Sequence, residues 1–292
     1  MEIKEVFRKK NVKETLEILE HYQEQCKIIA GGTDIIIQLR EGIEKSSVLV
    51  DISNIEELKV VKETEKWIEI GSGVTFTEIA REFTLHDKFS ALVEAAASVG
   101  SPQIRNAATI GGNICNASPA ADFIPPLLAL NAVVVLERKN AIREMCLEEF
   151  IIDKEKVALK ADELLTKIRF KKLQTNQGLG FSKLGFRKAL AISKISTAVF
   201  LELEENNKCK GTRIATGALG RHGLRERRVE EFLQEKALDP STVHQGGRKL
   251  QKEIEKRLYG RPSLAFKKEA VIGIFHKAVD KAFKSCKIEG GI

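Results

Sequence analysis

Two short segments combine glycine pairs with hydroxyl and amide side chains, the residue types that grip phosphate. The first runs Ile28-Ile29-Ala30-Gly31-Gly32-Thr33-Asp34-Ile35, directly after Lys27. Residues of strand type lead into two glycines, and Thr33-Asp34 can cap a helix starting at Ile35. Glycines accept positive φ and let the backbone approach a ligand closely. Successive N–H groups in such a turn form an anion nest, and a helix N-terminus adds positive potential. That chemistry suits a diphosphate, although an ordinary strand–turn–helix with a Gly-Gly turn has the same pattern. The second segment, Thr109-Ile110-Gly111-Gly112-Asn113-Ile114-Cys115-Asn116, repeats the device and is read as a turn followed by an irregular polar loop. It continues through Ser118-Pro119-Ala120-Ala121-Asp122. Two such loops can hold the two phosphates of one dinucleotide from opposite sides. Asp122 can accept a hydrogen bond from a ribose hydroxyl or simply cap its own loop.

Other chemistries find no support. No Gly-x-Gly-x-x-Gly opens a helix, and no P-loop pattern exists, so the two common phosphate-binding signatures are missing. Gly-x-Ser-x-Gly is also missing, no Ser or Cys is tied to a His by pattern, and Gly71-Ser72-Gly73 is too short to use. We therefore assign no catalytic acid, base or nucleophile. The five cysteines contain no Cys-x-x-Cys and the histidines no His-x-x-x-His, so no metal ligands are expected in this chain.

The elements that must position the two segments follow from periodicity. Residues 13–25 read as a helix, Lys27 to Ala30 and Val48 to Ile52 as strands, and Ile35 to Arg40 as a helix ended by Gly42. Trp67 to Gly71 alternates like a strand. Thr75 to Phe83 is a helix capped by Thr75 or Thr77, and Ala91 to Val99 is an Ala-rich helix stopped by Gly100-Ser101-Pro102. Strands follow at Ala132–Glu137, Leu165–Phe170, Ile195–Glu204 and Thr212–Leu219. A last helix carries the stripe Ala270, Val271, Ile274, Phe275, Ala278 and Val279. Gln174 to Gly180 is polar, glycine-bearing and aperiodic, and marks the expected domain boundary.

A chain of 292 residues with 43% hydrophobic and 30% charged residues fits about two globular domains. The longest apolar stretch, Phe123 to Leu136, holds two prolines and an Asn and falls short of the ~18 residues of a membrane span. Met1-Glu2-Ile3-Lys4-Glu5 has no apolar leader, so a cytoplasmic location is expected. The net charge of +7 resides entirely after Ser241, where 12 Lys and Arg face 5 Asp and Glu. Such a region can meet an acidic partner or a phosphorylated cofactor, or simply solvate a helix face. One Trp and two Tyr are too few for a stacking platform, so nucleic acid is not an expected partner.

Together the motifs carry a resemblance. Ala30-Gly31-Gly32-Thr33-Asp34, Ser101-Pro102-Gln103-Ile104-Arg105-Asn106 and Thr109-Ile110-Gly111-Gly112-Asn113 resemble the FAD-binding (medium) subunit of the xanthine dehydrogenase, or molybdenum hydroxylase, family. Phe186-Arg187-Lys188-Ala189-Leu190-Ala191-Ile192-Ser193 and Arg261-Pro262-Ser263 are similar to later segments of that subunit, so the likeness covers essentially the whole chain in order. No cysteine-rich insert is present, which disfavours the 4-hydroxybenzoyl-CoA reductase branch.

The resemblance implies an α+β fold. An FAD-binding domain of the vanillyl-alcohol-oxidase type would occupy residues 1–173, with subdomains of about 1–55 and 56–173. A smaller C-terminal domain of the carbon monoxide dehydrogenase flavoprotein type, built on a three-stranded antiparallel sheet, would occupy 178–286. It implies that Lys27, Ile28, Ile29, Ala30, Gly31, Gly32, Thr33, Asp34 and Ile35 cradle the FAD diphosphate, with Val99 and Gly100 against the cofactor. Thr109, Gly112, Asn113 and Asn116 would form a second clamp, Asp122 would hold a polar group, and Leu165 would pack on the cofactor. Lys183 would stand near the flavin and favour negative charge on the reduced ring. It implies an oxidoreductase subunit in a cytoplasmic hetero-oligomer. Electrons would come from 2Fe-2S clusters in one partner subunit and a molybdopterin subunit in the same complex, and leave to NAD⁺ or another acceptor. Purine is the commonest substrate association in the family, beside nicotinate and carbon monoxide. The alternative is a stand-alone FAD-dependent oxidase of a small substrate.

Overall fold

A computed structural model describes residues 3–83, 87–187 and 191–286. The first unit is a three-stranded parallel sheet. It contains β1 (Glu5–Arg8), α1 (Val12–Tyr22), β2 (Cys26–Ile29), α2 (Ile35–Arg40) and β3 (Val48–Asp51), with strand order β1-β3-β2. Asn11 caps α1 by accepting from Glu14 N, and Leu16 and Leu19 join Val50 and Ile52 in a small core. The helix expected over 13–25 stops at Tyr22, because Gln23 takes φ 47° and a 3-10 turn follows. β1 is largely exposed and has no apolar alternation, so only its pairing with β3 reveals it.

The second unit is an antiparallel sheet covered on one face by helices. Its elements are β4 (Val61–Glu63), β5 (Trp67–Gly71), α3 (Phe76–Phe83), α4 (Ser90–Ala97), α5 (Pro102–Ala107), α6 (Ile110–Asn116), α7 (Ile124–Ala129), β6 (Val133–Arg138), β7 (Ala141–Cys146), α8 (Leu147–Phe150), the hairpin β8 (Ile151–Asp153) and β9 (Lys156–Val157), and β10 (Leu164–Lys171). The strand order is β4-β5-β10-β6-β7. Ile68, Ile70, Ile168 and Phe170 turn to the helices and bury against Phe76, Phe83, Phe89 and Phe123. Thr75 and Glu78 form a reciprocal cap on α3: Thr75 Oγ1 accepts from Glu78 N at 3.3 Å, and Glu78 Oε2 accepts from Thr75 N at 2.8 Å.

The third unit is β11 (Gln177–Leu184), β12 (Ile195–Leu203), β13 (Cys209–Gly217) and β14 (Leu224–Arg225), a four-stranded antiparallel sheet in that order, with α9 (Arg227–Leu233), α10 (Pro240–Arg257) and α11 (Leu264–Ser285). The expected three strands are four, since β14 adds a two-residue edge. Of the apolar stripe on α11, Val271, Ile274, Phe275, Ala278 and Val279 are buried in the core of this unit.

Two readings need correction. Gln174 to Gly180 is not wholly linker, because β11 begins at Gln177. Gly180 is there to let α11 come close: a Cβ on it would lie 2.0 Å from Ala278 O. Likewise, Ile110 to Asn113 is not a turn leading into an irregular loop but the start of helix α6, capped by Thr109, whose Oγ1 accepts from Gly112 N at 3.1 Å. The seam between the second and third units is apolar. Leu179, Phe181, Ala198, Phe200 and Ala215 share one core with Phe123 and Leu127. At its edge Lys88 Nζ donates to the carbonyls of Thr175, Gln177 and Ser285.

Candidate functional site

A cavity of about 780 Å³ opens where the three units meet. Of the residues that the resemblance assigns to the cofactor, all but Ile29 and Lys183 line it. The parallel sheet delivers Lys27 to Ile35 from the end of β2. The second unit delivers Val99 and Gly100 from the end of α4, Thr109, Gly112, Asn113 and Asn116 from α6 and its cap, Asp122 from the turn after it, and Leu165 from β10. Ile29 belongs to β2. Lys183, on β11, lies behind Asp122 rather than on the cavity wall. Its Nζ is 2.5 Å from Asp122 Oδ2 and 2.9 Å from Ser98 O. In the Phe186–Ser193 segment, residues 188–190 lie outside the described residues, while Ala191, Ile192 and Ser193 line the cavity.

The two glycine pairs differ in what they offer. Among the described residues, the N–H groups of Gly31, Gly32, Thr33 and Asp34 donate to no protein acceptor, and Gly32 holds φ +70°. Four successive amides without an acceptor are the donor set of an anion nest. Asp34 occupies the cap position of α2 without a side-chain capping bond, so the expected cap is not made. The second pair spends its amides internally. Ile110 N donates to Val74 O, Gly111 N to Ser72 O and Gly112 N to Thr109 Oγ1. It offers space instead: a Cβ on Gly112 would meet only Thr109 Oγ1, at 3.1 Å. The two segments therefore do not repeat one device. The first supplies amide donors, and the second supplies a close approach and amide side chains.

Buried polar atoms without partners gather at this cavity. Ser72 Oγ, Asn113 Oδ1, Asp122 Oδ1 and Ser193 Oγ all belong to residues on its wall. A buried polar group left unpaired costs about 1–3 kcal/mol, so a cluster of them marks where a ligand supplies the missing bonds. The amide nest, the space at Gly112 and these four atoms fit an elongated dinucleotide such as FAD.

Charge is arranged around the first segment. Lys27 Nζ pairs with Glu44 Oε2 at 3.1 Å, and Glu44 Oε1 accepts from Ser46 N and Oγ. Burial pushes the Glu44 carboxyl up, but the bonds from Ser46 and Lys27 outweigh it and hold it down at about 2. Burial raises the thiols of Cys26 to about 11 and Cys115 to about 12, so both remain neutral walls. Burial also raises the Asp122 carboxyl, against the opposing charge of Lys183.

Several wall residues escaped sequence reasoning. Ser72 sits in Gly71-Ser72-Gly73, a signal too short to weigh, yet its carbonyl anchors Gly111. Glu163 is buried in an ion pair with Arg143 and accepts from Lys160 N. It shapes the 155–165 segment of the wall, which has no motif.

Comparisons with known proteins show the family. Residues 1–170 match the FAD binding domain in molybdopterin dehydrogenase, and residues 181–282 match the CO dehydrogenase flavoprotein C-terminal domain. The chain is 35% identical over 277 residues to the nicotinate dehydrogenase FAD-subunit of Eubacterium barkeri, covering 94% of each chain. It is 30% identical to the xanthine dehydrogenase FAD-binding subunit of Escherichia coli O157:H7, covering 88% of this chain and 89% of that one. In fold it superimposes on a chain of carbon monoxide dehydrogenase from Hydrogenophaga pseudoflava with a TM-score of 0.89 at 24% identity, covering 97% and 98% of the two chains. With a family model spanning residues 1–170 and a relative 35% identical over 94% of its length, the chain belongs to the FAD-binding subunits of the molybdenum hydroxylase family.

Proposed function

We propose that this chain is the electron-transfer flavoprotein of a hetero-oligomeric molybdenum hydroxylase. It takes electrons from 2Fe-2S clusters in one partner subunit, which receive them from a molybdopterin subunit where substrate is hydroxylated. They pass on to NAD⁺ or another acceptor. Bound FAD supplies the exchange between one-electron carriers and a two-electron acceptor. The observation that carries the reading is the pairing of four free amides at Gly31–Asp34 with the unpartnered side-chain atoms across the same cavity.

The residues of this chain bind and orient. The Gly31–Asp34 amides hold the diphosphate, Thr109, Gly112, Asn113 and Asn116 form the opposing wall, Val99 and Gly100 lie against the cofactor, and Leu165 packs on it. Asp122 accepts from a polar group of the cofactor through its free Oδ1. The relatives at 30% identity and above are named for nicotinate and xanthine, both nitrogen heterocycles, and we extend that substrate class to the complex.

Native purification of the chain with its partners tests the reading. In the complex, nicotinate or xanthine should bleach the flavin absorbance and NAD⁺ should restore it, while the isolated chain should respond to neither substrate. If the isolated chain oxidised a small molecule by itself, the stand-alone oxidase reading would replace this one.

A further inference from the structure

Asp122 and Lys183 come from different units. Asp122 sits in the turn between α6 and α7 and is 6% exposed, while Lys183 is on β11 with its side chain 15% exposed. Lys183 Nζ donates to Asp122 Oδ2 and to Ser98 O at the end of α4, so it ties three segments together across the seam. Only one carboxylate oxygen is used. Asp122 Oδ1 is buried and makes no hydrogen bond of ordinary geometry, while the Ser193 hydroxyl lies close enough to help Lys183 hold the carboxyl down. A buried carboxylate left half-satisfied at a cavity wall is costly unless a ligand donor completes it.

The geometry points to Lys183 as a positioning residue: it keeps Asp122 ionised and turned so that Oδ1 accepts from a ring N–H or ribityl hydroxyl of bound FAD. The inference rests on the FAD reading above. In this arrangement the cofactor meets a neutral pair, not a free cation. Lys183 thus acts on the cofactor through Asp122 and not by directly stabilising charge on the reduced ring. Because the two residues belong to different units, the same contact couples cofactor binding to the seam between the second and third units.

Lys183 is the cation held against Asp122, and Lys88 beside the start of β11 is bonded to the carbonyls of Thr175, Gln177 and Ser285. On the elements packed against β11, α7 carries no charged residue. Glu94 of α4 and Lys281 of α11 pair with each other, Lys281 also bonding Phe181 O. Glu202 at the far end of β12 pairs with Lys210, and Lys194 stacks over Phe186. Burial already pushes the Asp122 carboxyl up, and Lys183 is the cation that opposes it.

The test measures FAD affinity and the flavin midpoint potential on the full chain, in its complex, between about pH 6 and about pH 8. The native protein should bind with a flat pH profile. In Lys183→Met, Asp122 loses its counter-charge and takes up a proton more readily. Its FAD dissociation constant should rise at least about tenfold near pH 6, recover toward pH 8, and the potential at pH 8 should fall below the native value. Asp122→Asn leaves the cation uncompensated, so the potential should rise, and binding should weaken without pH dependence. Lys183→Arg should restore the native profile. The Asp122→Asn arm reads the same pair if Lys183→Met fails to fold. Native binding of FAD together with variant profiles parallel to the native one would overturn this inference alone. Failure of the native complex to bind FAD would overturn the FAD reading with it.

Discussion

Gly31 presses on the carbonyl of Ala107: a Cβ built on it would lie 1.8 Å from that oxygen. Ala107 ends α5, two residues before the Thr109 cap of α6. The first glycine segment is thus seated on the approach to the second, and this contact joins the parallel sheet to the helices of the second unit. Gly31→Ala must push two backbones apart and should destabilise the chain by about 1–3 kcal/mol, measured by urea unfolding without flavin.

Gly112 behaves differently. A Cβ there meets only Thr109 Oγ1, and Gly112 lies on the cavity wall. Gly112→Val should leave the apo melting temperature nearly unchanged while raising the FAD dissociation constant at least about tenfold. The two glycine variants therefore separate stability from binding.

Glu44 gives a pH dependence. Its folded carboxyl is held at about 2, below its ordinary 4.5. A lowered carboxyl contributes stability that is complete above the unfolded value and is lost as pH falls from 4.5 toward 2. Glu44→Gln should cost about 1 kcal/mol at neutral pH, and the gap to the native protein should close on acidification through that window. Urea unfolding at neutral and acid pH measures the difference.

Phe181 tests the seam. It is fully buried, on β11, among residues of the second unit. Phe181→Ala should cost about 3–5 kcal/mol. Hydrogen exchange should speed up in β11 and α7 together, since both pack on that core.

The basic C-terminal helices test docking. Lys252 on α10 and Lys277 on α11 are exposed. Reversing both to Glu should weaken assembly with partner subunits or raise the Michaelis constant for NAD⁺, more so at low salt. If neither changes, this charge serves solubility.

Much of this was legible in the sequence, for physical reasons that differ by residue. Trp67–Gly71 and the α11 stripe follow from which faces are buried, and periodicity reports burial directly. Gly31-Gly32 stood out because few other residues fit a positive φ or so close a backbone contact. Helix α6 was hidden because two glycines and two asparagines are poor helix formers, and its stability comes from the Thr109 cap and from Ile110 and Ile114 in the core. β11 was hidden because Gly178 and Gly180 serve the approach of α11 rather than strand propensity. The Asp122–Lys183 pair joins residues 61 positions apart, and the coupling between them exists only once the seam has formed.

The most direct measurement is a titration of the purified chain with FAD and, separately, FMN. The account predicts saturable one-to-one binding of FAD, and FMN weaker by at least about tenfold because it lacks the diphosphate proposed to meet the unbonded Gly31–Asp34 amides. Equal affinity for both, or no FAD binding by the chain alone and in its complex, would contradict it.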